Sequence, residues 1–241
     1  RQQAVSRGVA GGLSGVGATD ASLTASSTVE AAVSAGTEVR YAGSMTIAAA
    51  ATDENLFDIE AGAFGLASGA AAQGRTTSNS SVFAGLRDGS SAANRALVTV
   101  GGVLAIAATY RAAPTGVIGT SAFGAVAGSG ASITHTVTGR TQGRIGNHAD
   151  VTAGSIDAIA ANALDGRSFV DAKTGGIASG ASSRTDTRIS FTAEMIIGTH
   201  AVVETTDRAG TLKIKTENSL LHEDRVKLVT GGAISGAGAY G

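Results

Sequence analysis

Residues 174–183 read TGGIASGASS, and residues 230–239 read TGGAISGAGA, a close copy. Looser copies are GAFGLASGAA from Gly62 and SAFGAVAGSG from Ser121, and a truncated one, SRGVAGGLSGVG, spans Ser6–Gly17. Small residues surround an aliphatic group, and nothing in the motif does acid–base or nucleophilic chemistry. Such a repeat marks a structural period rather than a reactive site. Anchored at Gly65, Gly124, Gly176 and Gly232, the copies lie 59, 52 and 56 residues apart.

A second marker keeps the same phase. A glycine precedes an alternating apolar stretch at Gly43-Ser-Met-Thr-Ile, Gly102-Val-Leu-Ala-Ile, Gly154-Ser-Ile-Asp-Ala-Ile and Gly210-Thr-Leu-Lys-Ile, again 59, 52 and 56 residues apart. Before it stand TEVRY from Thr37, ALVTV from Ala96, ADVTA from Ala149 and AVVET from Ala201. Alternation over about five residues is the signal of a half-buried strand. Met45/Ile47, Leu104/Ile106 and Leu212/Ile214 are expected to point inward, with Thr46 and Lys213 outward. The intervening glycine suits a tight corner. A fourth segment, SNSSVFAGL from Ser78, ITHTVTGR from Ile133 and TRISFTAEMI from Thr187, is rich in strand-forming residues. Ala favours helix, but glycine and threonine recur every few residues and sustained three-four apolar spacing is missing.

The expected fold is therefore all-β: a β-solenoid over residues 1–241, with repeat units of about 52–59 residues starting near 43, 102, 154 and 210 and a partial unit at 1–42. Each unit holds about four short strands, arranged as two turns of about 28 residues or three of about 19, with two preferred. At ~4.8 Å per stacked strand this makes a rod of roughly 40–60 Å. In this reading Gly and Ala of the opening motif bring two faces close together. Leu66, Val126, Ile177 and Ile234 form the apolar inner row. The chain starts and stops inside repeats, so it is expected to be a segment of something longer or a subunit of an end-to-end polymer, with a non-native N-terminus at Arg1.

Composition narrows the function classes. The chain has 241 residues, 35 Gly, 1 Pro, no Trp, 4% aromatic residues and a net charge of −1. That balance gives no electrostatic case for nucleic acid or an acidic membrane surface. No Cys is present, which excludes disulfides and thiolate metal sites. No apolar run reaches the ~18 residues of a helical membrane span, and no export signal opens the chain.

The repeat ADVTAGSIDAIAA followed by GGIASGASS, together with TVGGVLAIAA and RYAGSMTIAAAAT, resembles the long repeats of bacterial filamentous adhesins, the filamentous-haemagglutinin-like and leukotoxin-type surface proteins. The resemblance extends over nearly the whole chain at repeat level. It implies a right-handed parallel β-helix, a very large parent protein, export across the outer membrane, and an attachment or filament role at the cell surface. It carries over no catalytic residues, and the family's export and anchoring regions are missing from this segment.

The reactive side chains are read as structural. The four histidines are His135, His148, His200 and His222, and His148 and His200 hold matching positions in GNHADV and GTHAVV. Two or three coils, roughly 10–15 Å, are expected to separate His148 from His200, too far to share a metal ion. Asp53-Glu54, Asp165 and Glu223-Asp224 are expected at solvated corners, as is the equivalent Ala112-Ala113-Pro114, and no calcium nonapeptide occurs. The pairs Thr76/Ser78, Thr134/Thr136 and Thr185/Thr187 occur once per repeat, too sparsely for an ice-binding lattice. Asn79-Ser80-Ser81 is a lone glycosylation pattern. No catalytic, cofactor or metal residues are assigned. The expected function is a non-catalytic scaffold of an extracellular filament or adhesin. Its expected partners are neighbouring copies or repeats, together with host or cell-surface glycans as ligands of its exposed Thr, Ser and Arg. The alternatives are a β-helix enzyme acting on polysaccharide, which needs clustered carboxylates, and a phage tail-fibre or spike segment.

Overall fold

The computed structural model describes residues 1–206 and 209–241. These residues form twelve strands and no helix. In chain order they are β1 (Gln2–Gly11), β2 (Ser14–Val33), β3 (Glu38–Ala42), β4 (Met45–Phe64), β5 (Ala67–Leu86), β6 (Leu97–Phe123), β7 (Val126–Ile145), β8 (Asp150–Gly175), β9 (Ala178–Ile197), β10 (Val202–Thr205), β11 (Leu212–Gly231) and β12 (Ile234–Tyr240).

The strands make two sheets, and the chain alternates between them. One sheet has the order β1-β4-β6-β8-β10, with β3 on β6 and β11 on β8; the other has the order β12-β9-β7-β5-β2. Every pairing between these strands is parallel. Ser14 pairs with Ala67, Ala67 with Val126, Val126 with Ala178 and Ala178 with Ile234, offsets of 53, 59, 52 and 56 residues. The last three equal the spacings of the glycine markers. One repeat therefore forms one layer, with one long strand in each sheet.

This corrects the expected turn size. The partner of each residue lies a whole repeat away, not half or a third of one. The second sheet is five strands high, or about 20 Å, while a 20-residue strand such as β7 is about 65 Å long. The body is a broad slab rather than a slender rod. The glycine marker between the paired strands is no corner either. β6 and β8 run straight through it, and Gly101-Gly102 of β6 oppose the single Gly154 of β8, a β-bulge that shifts the register.

Two kinds of corner join the sheets. One is the opening motif. Gly65, Gly124, Gly176 and Gly232 stack on one another, and a Cβ on any of the last three would overlap the carbonyl oxygen of the glycine one layer below. The backbone ladder continues through the turn, with Val126 N donating to Leu66 O at 2.9 Å and Ile234 N to Ile177 O at 3.0 Å. Glycine is required here by the close approach of layers. The expected inner row is reversed: Leu66, Val126, Ile177 and Ile234 are 65%, 59%, 67% and 73% exposed. Leu66 and Ile177 sit in the two-residue corner itself, where side chains splay away from the sheets, and Val126 and Ile234 are the first, outward-facing residues of β7 and β12. The other corner is a β-turn at Ser34–Thr37, Gly146–Ala149 and Gly198–Ala201, closed by i to i+3 hydrogen bonds. Its third residue is left-handed: Gly36 at φ 74°, His148 and His200 at φ 59°.

Along the strands, alternate residues face the other sheet. Ile47, Leu104 and Ile106 point inward as expected. Leu212 and Ile214 share their register, yet are 49% and 45% exposed, because β12 covers only the glycine-corner end of β11. The core has two apolar compartments. Near the glycine corner it is mostly alanine, with Phe57, Ile59, Ile118, Ile133 and Val170. Near the β-turn corner it holds Ile47, Val82, Leu86, Leu104, Ile106 and Ile156. Each large aliphatic group buried there contributes about 1.5–3 kcal/mol. Between the compartments runs a polar seam.

Candidate functional site

The seam is built by the same alternation that builds the core. β4 carries Ile47, Ala49 and Ala51 inward, and the next two inward positions are Asp53 and Asn55. Facing them, β5 supplies Thr76, Ser78 and Ser80, all buried. A buried carboxylate is costly unless it is hydrogen-bonded. Asp53 accepts from Ser80 Oγ at 2.7 Å and from Tyr110 Oη at 2.8 Å. Ser80 belongs to the opposite sheet and Tyr110 to the next layer, so one carboxylate ties together both directions of the stack. Burial raises the Tyr110 phenol well above its ordinary range, and its bond to Asp53 adds to the rise. Asn55 Nδ2 donates to Ser78 Oγ at 2.9 Å.

Room for large groups comes from glycine. A Cβ on Gly74 or Gly116 would overlap the Phe57 ring, and one on Gly139 would overlap Tyr110. Next to Phe57, at 5.8 Å between ring centres, lies His135, with no exposed surface. Its Nδ1 is 2.7 Å from Thr76 Oγ1. Burial pushes the His135 pKa down to about 4, helped by the neighbouring His222, so the ring is neutral at pH 7.

His222 stands edge-on to His135 at 5.9 Å. Its Nε2 lies 2.9 Å from Thr187 Oγ1, 3.0 Å from Asp224 Oδ1 and 3.3 Å from Ser168 Oγ. A Ser-His-Asp relay needs the acid on one ring nitrogen and the nucleophile on the other. Here all three partners crowd one nitrogen. The arrangement is a hydrogen-bonding hub, bordering a cleft of about 780 Å³ also lined by Arg184, Asp186 and Tyr240.

The residues singled out from sequence are placed differently from expectation. Asp53-Glu54, Asp165 and Glu223-Asp224 lie within long strands, not at corners. Asp53 is buried, and Asp165 faces outward to Arg111 at 3.0 Å. Pro114 is likewise inside β6. His148 and His200 are one layer apart, not two or three, and their rings stack at 4.9 Å with 6° between planes. The threonine pairs are out of phase: Thr76 pairs with His135 and Thr134 with Asp186. Among the described residues, no three His, Asp or Glu side chains are grouped to hold a metal ion.

A second ladder escaped the sequence reading. At the β-turn corners Asp88 Oδ1 accepts from Asn147 N at 2.7 Å and from Arg144 at 2.6 Å, and Asn147 Oδ1 accepts from Thr199 N at 2.9 Å. The Asn147 backbone N–H, more than Arg144, holds the exposed Asp88 carboxyl below its usual range. The seam itself left a signal in the sequence. Extending the inward phase of Met45 and Ile47 by eight residues reaches Asp53 and Asn55. No family model, curated protein sequence or solved structure matches the chain.

Proposed function

We propose that the chain is a non-catalytic structural segment of a bacterial extracellular filament or adhesin, folded as a right-handed β-solenoid with one repeat per turn. The carrying observation is the layer-to-layer register. In the second sheet, offsets of 53, 59 and 52 residues persist along strands of about 20 residues, and the offset of 56 along the seven residues of β12. A stack in which each layer is paired only with its neighbours can be lengthened without new design, which suits a load-bearing filament. Right-handedness follows the strong preference of parallel crossover connections. The polar groups of the seam bond to one another across layers, a use that favours cohesion over turnover. Glycans remain the proposed ligand class for the outer face of the second sheet, where Arg75, Thr77, Thr134, Thr136 and Arg188 line a shallow groove.

The test is gold labelling of the source cells with antibody raised to this chain. Label running along thin surface filaments is the expected result. Label confined to the cell interior, or found only on soluble secreted material, overturns the reading. A glycan array with no bound sugar removes the glycan part alone.

A further inference from the structure

The glycine corner that sets the layers also leaves an apolar ridge on the outside. Each of the five layers contributes a large aliphatic group there: Leu13 (80% exposed), Leu66 and Ile177 in the corner itself, and Val126 and Ile234 one residue further on, with Val16 of the first layer also 77% exposed at the end of the same face. Phe64 and Phe123 stack beside the ridge at 5.9 Å and are each more than two-fifths exposed. No charged residue occurs in the corner segments 11–17, 62–71, 121–131, 174–182 and 230–239.

Beside the ridge, on the outer face of the second sheet, runs a trough. Gly69, Gly128, Gly180 and Gly236 occupy one register position in four successive layers. Packing within the chain does not require them. A Cβ on Gly69 or Gly236 would meet nothing within 4 Å, and one on Gly128 or Gly180 nothing nearer than 3.8 Å. Their φ angles lie outside the left-handed region.

We infer that this corner is a lateral interface between two copies of the chain, each laying its aliphatic ridge into the glycine trough of the other. Ridge and trough lie side by side, so a two-fold axis exchanges them, as an isologous interface demands. Both repeat once per layer, so knobs and holes share one spacing. The absence of charge removes like-charge repulsion between identical surfaces. It also removes the basic residues with which a protein surface holds an anionic bilayer. Four steps of ~4.8 Å and about eight residues wrapped round the corner make a strip on the order of 20 by 25 Å. Its projected area, roughly 500 Å², lies in the upper half of the range for the largest apolar patch on a monomer. Leu13, Val16, Leu66, Val126, Ile177 and Ile234 are 59–80% exposed and Phe64 and Phe123 46% and 43%; at roughly 100 Å² for each such side chain, their accessible area approaches the ~800 Å² per partner of a stable interface. The dimer stands or falls separately from the filament reading, since it uses neither end of the stack.

Sedimentation equilibrium of the whole chain tests it. The expected result is a dimer in reversible exchange with monomer. The double variant Leu66→Asp/Ile177→Asp, changed only at exposed positions, is expected to weaken the dimer at least about 30-fold. Gly128→Val/Gly180→Val fills the trough while leaving the chain's own packing open. It is expected to abolish the dimer with an unchanged circular dichroism spectrum and melting temperature in dilute solution. A wild-type monomer at 100 µM overturns the inference. So does association that both variants retain, which would mark end-to-end stacking, or ridge-dependent flotation with phosphatidylcholine vesicles in place of dimerisation.

Discussion

At the scale of single residues, glycine does different work at neighbouring positions, and substitution separates the roles. Gly176 faces the Gly124 carbonyl with no space for a Cβ, whereas Gly69 faces open space. Gly176→Ala is expected to lower unfolding free energy by about 2 kcal/mol or more, because the backbone ladder must open to admit the methyl group. Gly69→Ala is expected to be neutral or to add up to about 1 kcal/mol by restricting the unfolded chain. Urea denaturation of both variants in dilute solution checks the contrast, and equal effects would refute it. His135 gives a pH dependence with a definite sign. Its folded pKa is about 4, below the unfolded value of ~6.5. Between these values the unfolded chain binds the extra proton, so stability falls as the pH drops from about 6.5 towards 4. The loss approaches about 3 kcal/mol. His135→Leu is expected to flatten that part of the profile. Denaturation midpoints at pH 7.0 and 4.5 measure it, and an undiminished acid loss in the variant would exclude His135 as the cause.

At the scale of strands and seams, the polar groups are cross-links between elements. Asp53 joins β4 to Ser80 on β5 and Tyr110 on β6. Tyr110→Phe keeps the ring packed edge-on against Phe191 but removes one donor from a buried carboxylate. The expected cost is about 2 kcal/mol. Ser80→Ala should cost a similar amount, and the double variant should show a coupling energy above about 0.5 kcal/mol, since both donors serve one carboxylate. Additive effects in thermal melts would argue against a shared network. The period of these elements was legible in the sequence, because the glycine markers keep the offsets of the strand register. Strand length was not. Gly102 and Gly124 look alike in the chain, yet one is a bulge within β6 and the other a corner after it. What separates them is the layer each meets, which no local pattern encodes. Pro114 misled for a similar reason. Its ring nitrogen has no proton to donate, and residues 113 and 114 make no pairing with β8. The β4 ladder on the other side runs on unbroken through Asn55, so the strand survives a residue that usually ends one. The seam followed from the same gap, since Asp53 and Asn55 become inward residues only when the strand is read to its full length.

At the scale of the molecule, the described pairings join strands one repeat apart, so cohesion passes from layer to layer. β6 is hydrogen-bonded on one side to β4 and on the other to β8, and β7 likewise to β5 and β9. β2 has a partner on one side only, and β12 covers seven residues. The exposed ion pairs, such as Arg7–Glu60 at 3.2 Å and Lys213–Asp157 at 3.7 Å, lie in water and add little to this cohesion. Stability should therefore be graded along the stack, as in other nearest-neighbour assemblies. Native-state hydrogen exchange is expected to protect β6, β7 and β8 most strongly. Protection should fall through β5 and β9 to β2 and β12, and the gradient should persist in 1 M NaCl because surface charge contributes little to it. The Asp53 cross-link predicts one departure from a smooth gradient. Amides around Asp53 and Tyr110 should exchange together, and in Tyr110→Phe the β4 amides should exchange sooner while β8 keeps its protection. Uniform exchange across all layers would mean that the slab opens in a single cooperative step and that the seam, rather than the ladder, holds it shut.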